Sequence, residues 1–412
     1  MLSKLMQFIA YLQIVLYGLW KCWTKSYSKE SSNKILVIMD QVGVGDAVCS
    51  LNAFYNITHS IENKYDLYIA TTPSVIRFLE ESHSTFNAQF VTLDLNKDTK
   101  FSLYTFRKNQ QKISTHNWHQ IISLNRVGNY MKLQLVSCRY NSLIGMEFIE
   151  RKINLLERFL GKQLYNYRCL YFHNTTHIQQ IYAMICLETL HLQGFSYQNK
   201  NYRFYQIPHL VDNPLKTLKK KYCIICPSIA TQKDHPYEHR KWPLDRVVEI
   251  VNFIMDSSNL TVCLCGVEAD RADNEYVLTH AKDSSRIINM TGKTTYKEWI
   301  ELIRSAMFVF GNDSGYIHLA AYLGVQSFAL AGYWNYGRFL PYRGEYVKKE
   351  ARPIDIRIPM VSCVYCSQRS VNDSTKKQCD HLVRQEGVYK CIWDISVDYV
   401  KEKLSASGMF IN

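Results

Sequence analysis

The chain has 412 residues, of which 47% are hydrophobic; this length suits two domains of ordinary size, and this composition excludes a disordered protein. Its 49 basic and 36 acidic side chains give a formal net charge of +13, which favours an anionic partner such as a phosphorylated substrate, a nucleic acid or an acidic membrane surface, although ordinary solubility charge also accounts for it. Thirteen cysteines in so long a chain do not make a small disulfide scaffold, and most of them lie scattered in apolar runs, as small buried side chains of a protein in a reducing compartment do.

An apolar run from Leu5 to Trp20 lies near the N-terminus, between Lys4 and Lys21. It is shorter than the roughly 20 residues that a bilayer span needs, and no small-residue cleavage site of a signal peptide follows it. Aromatic and aliphatic bulk with basic flanks predicts, over residues 1–26, a helix that lies in the membrane interface. A helix packed on the protein's own surface is the alternative.

The first α/β domain is predicted over residues 33–215. Its strands are expected at 34–39, 65–70, 91–95, 119–124 and 142–146, and its helices at 47–57, from Pro73 onwards and at 178–190. Gly43 and Gly45 let the backbone bend after the first strand, and Asp46 follows them at the start of a helix. Asp46 is either a helix N-cap, which this spacing alone favours, or a general base.

The second α/β domain is predicted over residues 220–391, after a boundary in the stretch 206–221. Its strands are expected at 222–226, 261–265, 286–289, 307–310 and 325–331, and its helices at 244–255, 296–305 and 316–323. Residues 392–412 are assigned to a C-terminal helix and tail.

The most informative stretch is a polar turn between a strand and a helix of the second domain. It consists of Asn312, Asp313, Ser314 and Gly315, and His318 lies in the first turn of the helix that follows. Such a turn places free N–H groups and a helix N-terminus at the carboxyl edge of a parallel sheet, where phosphate-bearing ligands bind. The alternative makes Asp313 a helix cap and His318 a packing residue.

Two further polar positions follow strands of the second domain. Lys241 ends a cationic stretch that is well placed to meet phosphate charge, or is part of a solvated basic loop. Glu268 follows the strand at 261–265, where a carboxylate can accept hydrogen bonds from ribose hydroxyls or stabilise the next helix.

Four cysteines are grouped towards the C-terminus. They are Cys363, Cys366, Cys379 and Cys391. One Cys-X-X-Cys pair with two single cysteines is a candidate structural zinc site, but the second pair lacks the close spacing of zinc ribbons. Reduced thiols, or disulfides formed in air, fit this spacing better.

Together these stretches resemble the glycosyltransferase family 9 heptosyltransferases, bacterial enzymes of lipopolysaccharide core assembly. The resemblance extends from residue 33 to residue 404 and is sparse between 78 and 215. The residues that carry it are Lys34–Ile38 with Gly45 and Asp46, Lys241–Pro243, Asn289–Gly292, Gly311–Gly315 with His318–Ala321, Leu323–Val325 and Cys391–Val400.

The resemblance implies a GT-B fold, in which two Rossmann-like domains face each other across a cleft. The N-terminal domain would bind the acceptor, with Gly43 and Gly45 in its loop and Asp46 as the base that deprotonates the acceptor hydroxyl. The C-terminal domain would bind the donor through Lys241 at the phosphates, Glu268 at the ribose, and Asn312, Asp313, Ser314, Gly315 and His318 at the diphosphate.

The activity that the resemblance implies is inverting, metal-independent transfer of a sugar, most simply heptose from ADP-heptose, to lipopolysaccharide or another lipid-linked glycan. The expected partners are a nucleotide sugar, an anionic lipid-linked acceptor and a membrane surface, with no nucleic acid and no cofactor. The expected location is the cytoplasmic side, peripheral on the inner face of the bacterial inner membrane.

The chain departs from the family at Leu51-Asn52, where a leucine–proline step is usual, in the long loop 231–240, and in the aromatic stretch between 332 and 342. These departures leave the donor sugar open. The alternatives are a noncatalytic nucleotide- or sugar-binding GT-B protein, a family member that uses a different nucleotide sugar, and a GT-B epimerase.

Overall fold

The computed structural model describes residues 2–24, 32–40, 43–61, 64–82, 87–95, 102–149, 151, 153–193, 202–229, 240–333, 336–347, 352–359, 382–383 and 387–409. Its contacts divide the chain into two compact units. The first unit contains residues 1–173 and 181–205, and the second contains 174–180 and 206–412. The short segment 174–180 therefore groups with the second unit although the chain on both sides of it groups with the first.

The first unit is built on a six-stranded parallel sheet with the order β3-β2-β1-β4-β5-β6. The strands are β1 (Lys34–Ile38), β2 (Asp66–Thr71), β3 (Ala88–Thr92), β4 (Asn117–Arg126), β5 (Arg139–Phe148) and β6 (Tyr167–Phe172). The helices are α1 (Leu2–Thr24), α2 (Val44–Ile61), α3 (Pro73–Ser82), α4 (Leu103–Ile113), α5 (Asn129–Leu135), α6 (Leu155–Lys162) and α7 (Ile178–Leu192).

The second unit has its own six-stranded parallel sheet with the order β12-β11-β10-β7-β8-β9. The strands are β7 (Tyr222–Cys226), β8 (Thr261–Leu264), β9 (Ile287–Asn289), β10 (Val309–Asn312), β11 (Ser327–Leu330) and β12 (Ile354–Ile356), and β13 (Leu382–Val383) pairs separately with β14 (Val388–Tyr389). The helices are α8 (Leu244–Ser257), α9 (Arg271–His280), α10 (Tyr296–Arg304), α11 (Gly315–Leu323), α12 (Lys390–Trp393) and α13 (Val397–Ser405).

The order of the strands locates the ligand-binding edge of each sheet. In both units the first strand of the sheet, β1 or β7, lies in the interior, and the strand order reverses beside it. Central strands covered on both faces need continuous apolar runs, and each residue of β7 is buried. In open α/β sheets ligands bind at the carboxyl ends of strands at this reversal, which here means beside β1 and β4 and beside β7 and β10.

Helix α1 packs on the first unit along one side only. Ile14 is fully buried in a cluster with Phe106 and Leu133, whereas Phe8 and Leu16 are 63% and 59% exposed on the other side. One side of α1 therefore packs on the protein's own surface, as the alternative interpretation expected, and the other side is exposed. Among the described residues, no helix is long and apolar enough to cross a membrane.

The described cysteines are free thiols, and most are buried, as small hydrophobic side chains are. Cys391 is one of them, and it lies in α12. The other three cysteines of the candidate zinc site, Cys363, Cys366 and Cys379, lie outside the described residues, and no metal-binding group of acidic, histidine or cysteine side chains occurs within the described part.

Candidate functional site

The polar turn after β10 is built on a glycine and a buried asparagine. A Cβ atom on Gly311 would lie 2.5 Å from the carbonyl oxygen of Cys226, so only glycine lets β10 lie this close to β7. Asn312 accepts a hydrogen bond from the Trp242 N–H at 3.1 Å and donates one to the Pro227 carbonyl at 2.7 Å. The Asn312 side chain thus connects the turn to the segments of Trp242 and Pro227, and these two hydrogen bonds position the turn.

Asp313 and His318 form a hydrogen-bonded pair inside this turn. The Nε2 atom of His318 lies 3.2 Å from Oδ1 of Asp313, and its Nδ1 atom lies 2.9 Å from the Tyr342 hydroxyl. Burial opposes ionisation of Asp313, but the hydrogen bond and charge of His318, aided by Arg240 and Arg357, prevail and lower the pKa of Asp313. Asp313 is therefore an anion that accepts a hydrogen bond from His318 and attracts the nearby arginines.

Ser314 and Gly315 begin helix α11. Ser314 takes the N-cap position without a capping hydrogen bond from its side chain, and its hydroxyl oxygen is buried with no hydrogen-bond partner in the described part of the chain. The first N–H groups of a helix have no acceptor within the helix, and together with the helix dipole they favour an anion. The hydroxyl and these N–H groups can therefore bind an anion at the start of α11.

An arginine that no sequence motif indicated lies near this turn. Arg357 follows β12, contacts Asp355 at 3.4 Å and stacks its guanidinium 4.6 Å from the ring centre of Tyr336. Its Nη1 atom is buried without a hydrogen-bond partner among the described residues. Burial raises the pKa of Asp355 to about 6, against the influence of Arg357. The strand that places Arg357 here is three residues long, so the sequence pattern did not reveal it.

Lys241 lies at the carboxyl side of β7 and is held by a carboxylate. Its Nζ atom is 3.0 Å from both carboxylate oxygens of Asp273, on α9, and the Ser228 hydroxyl donates to the same group. The ammonium group remains partly exposed. Asp273 thus fixes Lys241, although no motif of the sequence indicated Asp273 as a site residue.

Glu268 lies in a short 3₁₀ turn after β8. Its carboxylate is exposed and makes a bidentate ion pair with Arg271, at 2.6 and 2.7 Å, which lowers the pKa of Glu268. Gly292 has a φ of +68°, and a Cβ atom there would lie 2.6 Å from Oε2 of Glu268. The carboxylate is therefore an ionised acceptor that is open to a ligand hydroxyl.

Asp46 belongs to the first unit, at the carboxyl end of β1. Helix α2 begins at Val44, which places Asp46 in the first turn of the helix and past the N-cap position. Gly43 precedes the helix, and a Cβ atom on it would lie 3.1 Å from Oδ2 of Asp46; Gly45 is in the first turn. Nearby along the chain, Asp40 accepts a hydrogen bond from Asn125, which ties the ends of β1 and β4 together.

The predicted site residues thus fall into two groups. All the donor-side candidates, Lys241, Glu268, Asn312, Asp313, Ser314, Gly315 and His318, belong to the second unit, at the carboxyl ends of β7, β8 and β10. The predicted base, Asp46, and the two glycines before it belong to the first unit. Their joint action stays a prediction.

His177, which no sequence motif indicated either, lies beside the Tyr342 ring in the second unit. Its Nε2 atom lies 3.0 Å from the Phe339 carbonyl, and its Nδ1 atom accepts the N–H of Gln179. Burial and the charge of His318 lower the pKa of His177 to about 3. A second proton on the ring would face the Gln179 N–H, so the neutral form is required.

This requirement predicts an acid-sensitive fold. The pKa of His177 lies below its value of 6.5 in the unfolded chain, so unfolding takes up a proton, and stability is lost as the pH falls below 6.5. Protonation of His177 should lower the free energy of unfolding by about 3 kcal/mol between pH 7 and pH 4. His177→Gln should remove that part of the dependence in urea titrations at each pH, whereas the exposed His280→Gln should keep it. Equal pH dependence in both variants would contradict the assignment.

Comparison with known proteins agrees with this architecture. The family described as "Glycosyltransferase family 9 (heptosyltransferase)" matches residues 178–351, which include the turn and all the donor-side candidates. No curated protein sequence matches the chain significantly.

Three solved structures are similar in fold. A glycosyl transferase family 9 protein from Veillonella parvula is 14% identical with a TM-score of 0.62, covering 94% of this chain and 99% of the other. The ADP-heptose lps heptosyltransferase II of E. coli is 15% identical with a TM-score of 0.59, covering 92% and 98%. The E. coli heptosyltransferase WaaC with ADP-2-deoxy-2-fluoro heptose is 12% identical with a TM-score of 0.61, covering 91% and 99%.

The fold and the family match define the class of protein as a glycosyltransferase with a two-domain α/β fold of the GT-B type. Within this class the chain resembles glycosyltransferase family 9, as its motifs predicted.

Proposed function

We propose that this protein is an inverting, metal-independent glycosyltransferase that moves heptose from ADP-heptose to a hydroxyl group of lipopolysaccharide or another lipid-linked glycan. The observation that carries the proposal is the turn Asp313–Gly315, where a buried serine hydroxyl without a partner in the described part of the chain lies at a helix N-terminus. A departing nucleoside diphosphate needs such donors.

The leaving group is the first half of the mechanism. When the bond between the sugar and the diphosphate breaks, negative charge develops on a phosphate oxygen, and fixed cations and N–H groups can stabilise it without a metal ion. Ser314, the N–H groups of α11 and Arg357 supply this stabilisation. Asp313, an anion, does not bind the phosphate directly but holds His318 and the nearby arginines in place.

The acceptor is the second half. Asp46 takes the proton from the acceptor hydroxyl, the oxygen attacks the anomeric carbon, and the bond to the diphosphate breaks on the opposite face of the sugar, which inverts the anomeric centre. Glu268 accepts from the ribose of the donor, and Lys241 contacts its phosphates. Asn312 acts through the position of the turn, because its side chain is already bonded within the protein.

The donor assignment comes from the relatives. Two E. coli WaaC structures are described with ADP-2-deoxy-2-fluoro heptose and with ADP, and these ligands motivate ADP-heptose as the donor here. A different nucleotide sugar and a noncatalytic binding protein are the alternatives. A test of the donor must therefore determine separately which nucleobase and which sugar the protein binds, and whether it transfers the sugar.

Thermal unfolding with nucleotide sugars makes that separation. ADP-heptose should raise the Tm more than UDP- or GDP-sugars, because a ligand that binds the native state stabilises it by mass action. Lys241→Gln should weaken ADP-heptose binding about 10- to 100-fold, since a hydrogen bond to a charged group contributes about 1.5–3 kcal/mol. Exposed Lys219→Gln is the charge-matched control.

All arms contain EDTA, and turnover with a lipid-linked acceptor is measured beside binding. A shift with another nucleotide alone would overturn the ADP assignment. Binding without turnover would leave a noncatalytic protein, and turnover that depends on a divalent cation would overturn the metal-independent mechanism.

We also propose that the protein works at the cytoplasmic face of the bacterial inner membrane as a peripheral protein. A lipid-linked acceptor is confined to the membrane, so an enzyme held there meets it more often. The basic excess of the chain, +13, and the exposed apolar side of α1 support this location.

A further inference from the structure

A polar cavity lies in the first unit, and its described lining contains none of the residues of the proposed transfer reaction. Its volume is about 540 Å³, and the ends of α1 and α4 and the starts of β4 and β5 line it. Among the described lining residues, three are cations, Lys21, Arg107 and Arg139, and none is acidic. The remaining lining is mostly amide and hydroxyl side chains, such as Gln111 and Ser114. This chemistry fits a phosphate group.

The aromatic rings of α1 hold two of these cations. The Arg107 guanidinium lies 4.7 Å from the ring centre of Tyr17, and the Lys21 ammonium lies 4.9 Å from that of Trp20. Stacking of this kind attracts a cation to the ring face and leaves its N–H groups directed to a ligand. The cavity is therefore partly ordered before any anion binds.

The cavity lies at the opposite edge of the sheet from the candidate acceptor loop. Asn117 and Arg139, which begin β4 and β5, are register partners, so both mark the amino edge. Asn125, which bonds to Asp40 at the carboxyl edge, is eight residues further along β4, roughly 26 Å away at the rise of a strand. An anion in this cavity is thus separate from the acceptor hydroxyl and its base.

The exposed side of α1 adjoins the cavity. Its inner row contains Ile14 and Gly18, where a Cβ atom on Gly18 would lie 2.2 Å from Leu133, so α1 packs closely against α5. The outer side carries large apolar side chains that are between 46% and 89% exposed: Phe8, Ile9, Leu12, Leu16, Trp20 and Trp23. Trp20 of this outer side and Lys21 of the cavity are adjacent, so the apolar surface continues into the cationic one.

We propose that this cavity binds the phosphate headgroup of an anionic phospholipid while the outer side of α1 lies among the acyl chains of the same leaflet. The inference rests on the proposed membrane location and adds to it a specific site and a lipid chemistry. One lipid accounts for both surfaces, because its phosphate can bind the three cations and its acyl chains can contact the six exposed apolar side chains. A soluble phosphate would leave the apolar side of α1 in water.

The test is co-sedimentation of the full-length protein with vesicles of phosphatidylcholine, with or without phosphatidylglycerol. The wild-type protein should bind the vesicles that contain phosphatidylglycerol more tightly. Arg107→Gln/Arg139→Gln should weaken that binding about 30-fold, because each basic side chain near an anionic surface contributes a factor of about five. Lys219→Gln/Lys220→Gln removes the same charge from the second unit and should change binding less than about threefold.

A second pair of variants tests the apolar half. Leu12→Ser/Leu16→Ser should weaken binding to both kinds of vesicle, since these exposed side chains insert whatever the headgroup. Lys21→Gln, at the end of α1, replaces the arginine pair as the test of the cavity if that pair fails to fold. Circular dichroism and thermal unfolding check each variant.

Three outcomes would overturn the proposal: equal weakening by the arginine and lysine pairs, which would indicate bulk charge; no preference for phosphatidylglycerol; and a thermal shift with inorganic phosphate but no vesicle binding, which would indicate a free-phosphate site. These assays contain no nucleotide sugar. The Tm shift with ADP-heptose is measured separately, so a failure of lipid binding leaves the transfer reaction standing.

Discussion

Asp46→Asn should lower the rate of sugar transfer by about 10²- to 10⁴-fold, the usual contribution of a general base. Asparagine keeps the size of the side chain and most of its hydrogen bonds but takes up no proton from the acceptor hydroxyl. The carboxylate lies in the first turn of α2, where its interaction with the helix dipole contributes only about 0.3–1 kcal/mol to stability. A large loss of turnover with a small change in Tm would therefore separate a chemical role from a structural one.

The measurement pairs turnover with calorimetric titration of ADP-heptose. Donor affinity should change less than about twofold, because the proposed donor-binding residues all belong to the second unit and Asp46 belongs to the first. Asp66→Asn, an exposed carboxylate at the start of β2, is the matched control and should behave as wild type. Unchanged turnover in Asp46→Asn would refute the role of Asp46 as the general base. A parallel loss of donor affinity would instead indicate that Asp46 binds the donor.

The sequence was most informative where local pattern and tertiary position coincide. The strands at 222–226 and 34–38 are continuous apolar runs, because they lie inside their sheets, and both were predicted within a residue of their bounds. The helix of the polar turn was predicted within one residue of its start at Gly315. The amino-acid composition of such elements is therefore enough to predict them.

The composition of edge strands and surface helices is not enough to predict them. β6 is an edge strand whose residues are mostly half-exposed, so YRCLYF has no continuous apolar run, and the strand was missed. α4 is polar along most of its length and starts at a Ser102 cap, and α9 resembles it in polarity. Packing on a neighbouring element forms such helices, and a pattern confined to one segment does not contain that information.

For the same reason, only part of the candidate site could be predicted from the sequence. The turn from Asn312 to His318 is contiguous, so its residues could be named from the sequence. Arg357 comes from a strand at the sheet edge, and Asp273 comes from α9, which the sequence did not predict. Both are brought to the site by the fold. Sequence reasoning also assigned Asn312 to the ligand, but both ends of its amide are bonded to the protein.

Glu157→Gln should destabilise the first unit by about 3–5 kcal/mol, the usual effect of removing one partner from a buried ion pair. The Glu157 side chain is fully buried at the start of α6 and accepts from Arg126, from Arg151 at 2.9 Å and from the Lys132 ammonium at 3.5 Å. Glu147 shares the two arginines. Among the described residues, three cations therefore surround two carboxylates, and the loss of one carboxylate increases the buried excess of positive charge.

Lys132→Met is the informative companion, because it changes the same network in the opposite direction. It removes one of three cations and fills the space with a side chain of similar length, so charge becomes balanced, and the variant should lose less than about 1.5 kcal/mol or gain stability. Urea titrations of both variants, followed by circular dichroism, compare the two. If Glu157→Gln were the milder variant, the cations would be solvated or neutralised by an anion, and the network would be a ligand site at the carboxyl edge of β4 and β5 instead of a structural one.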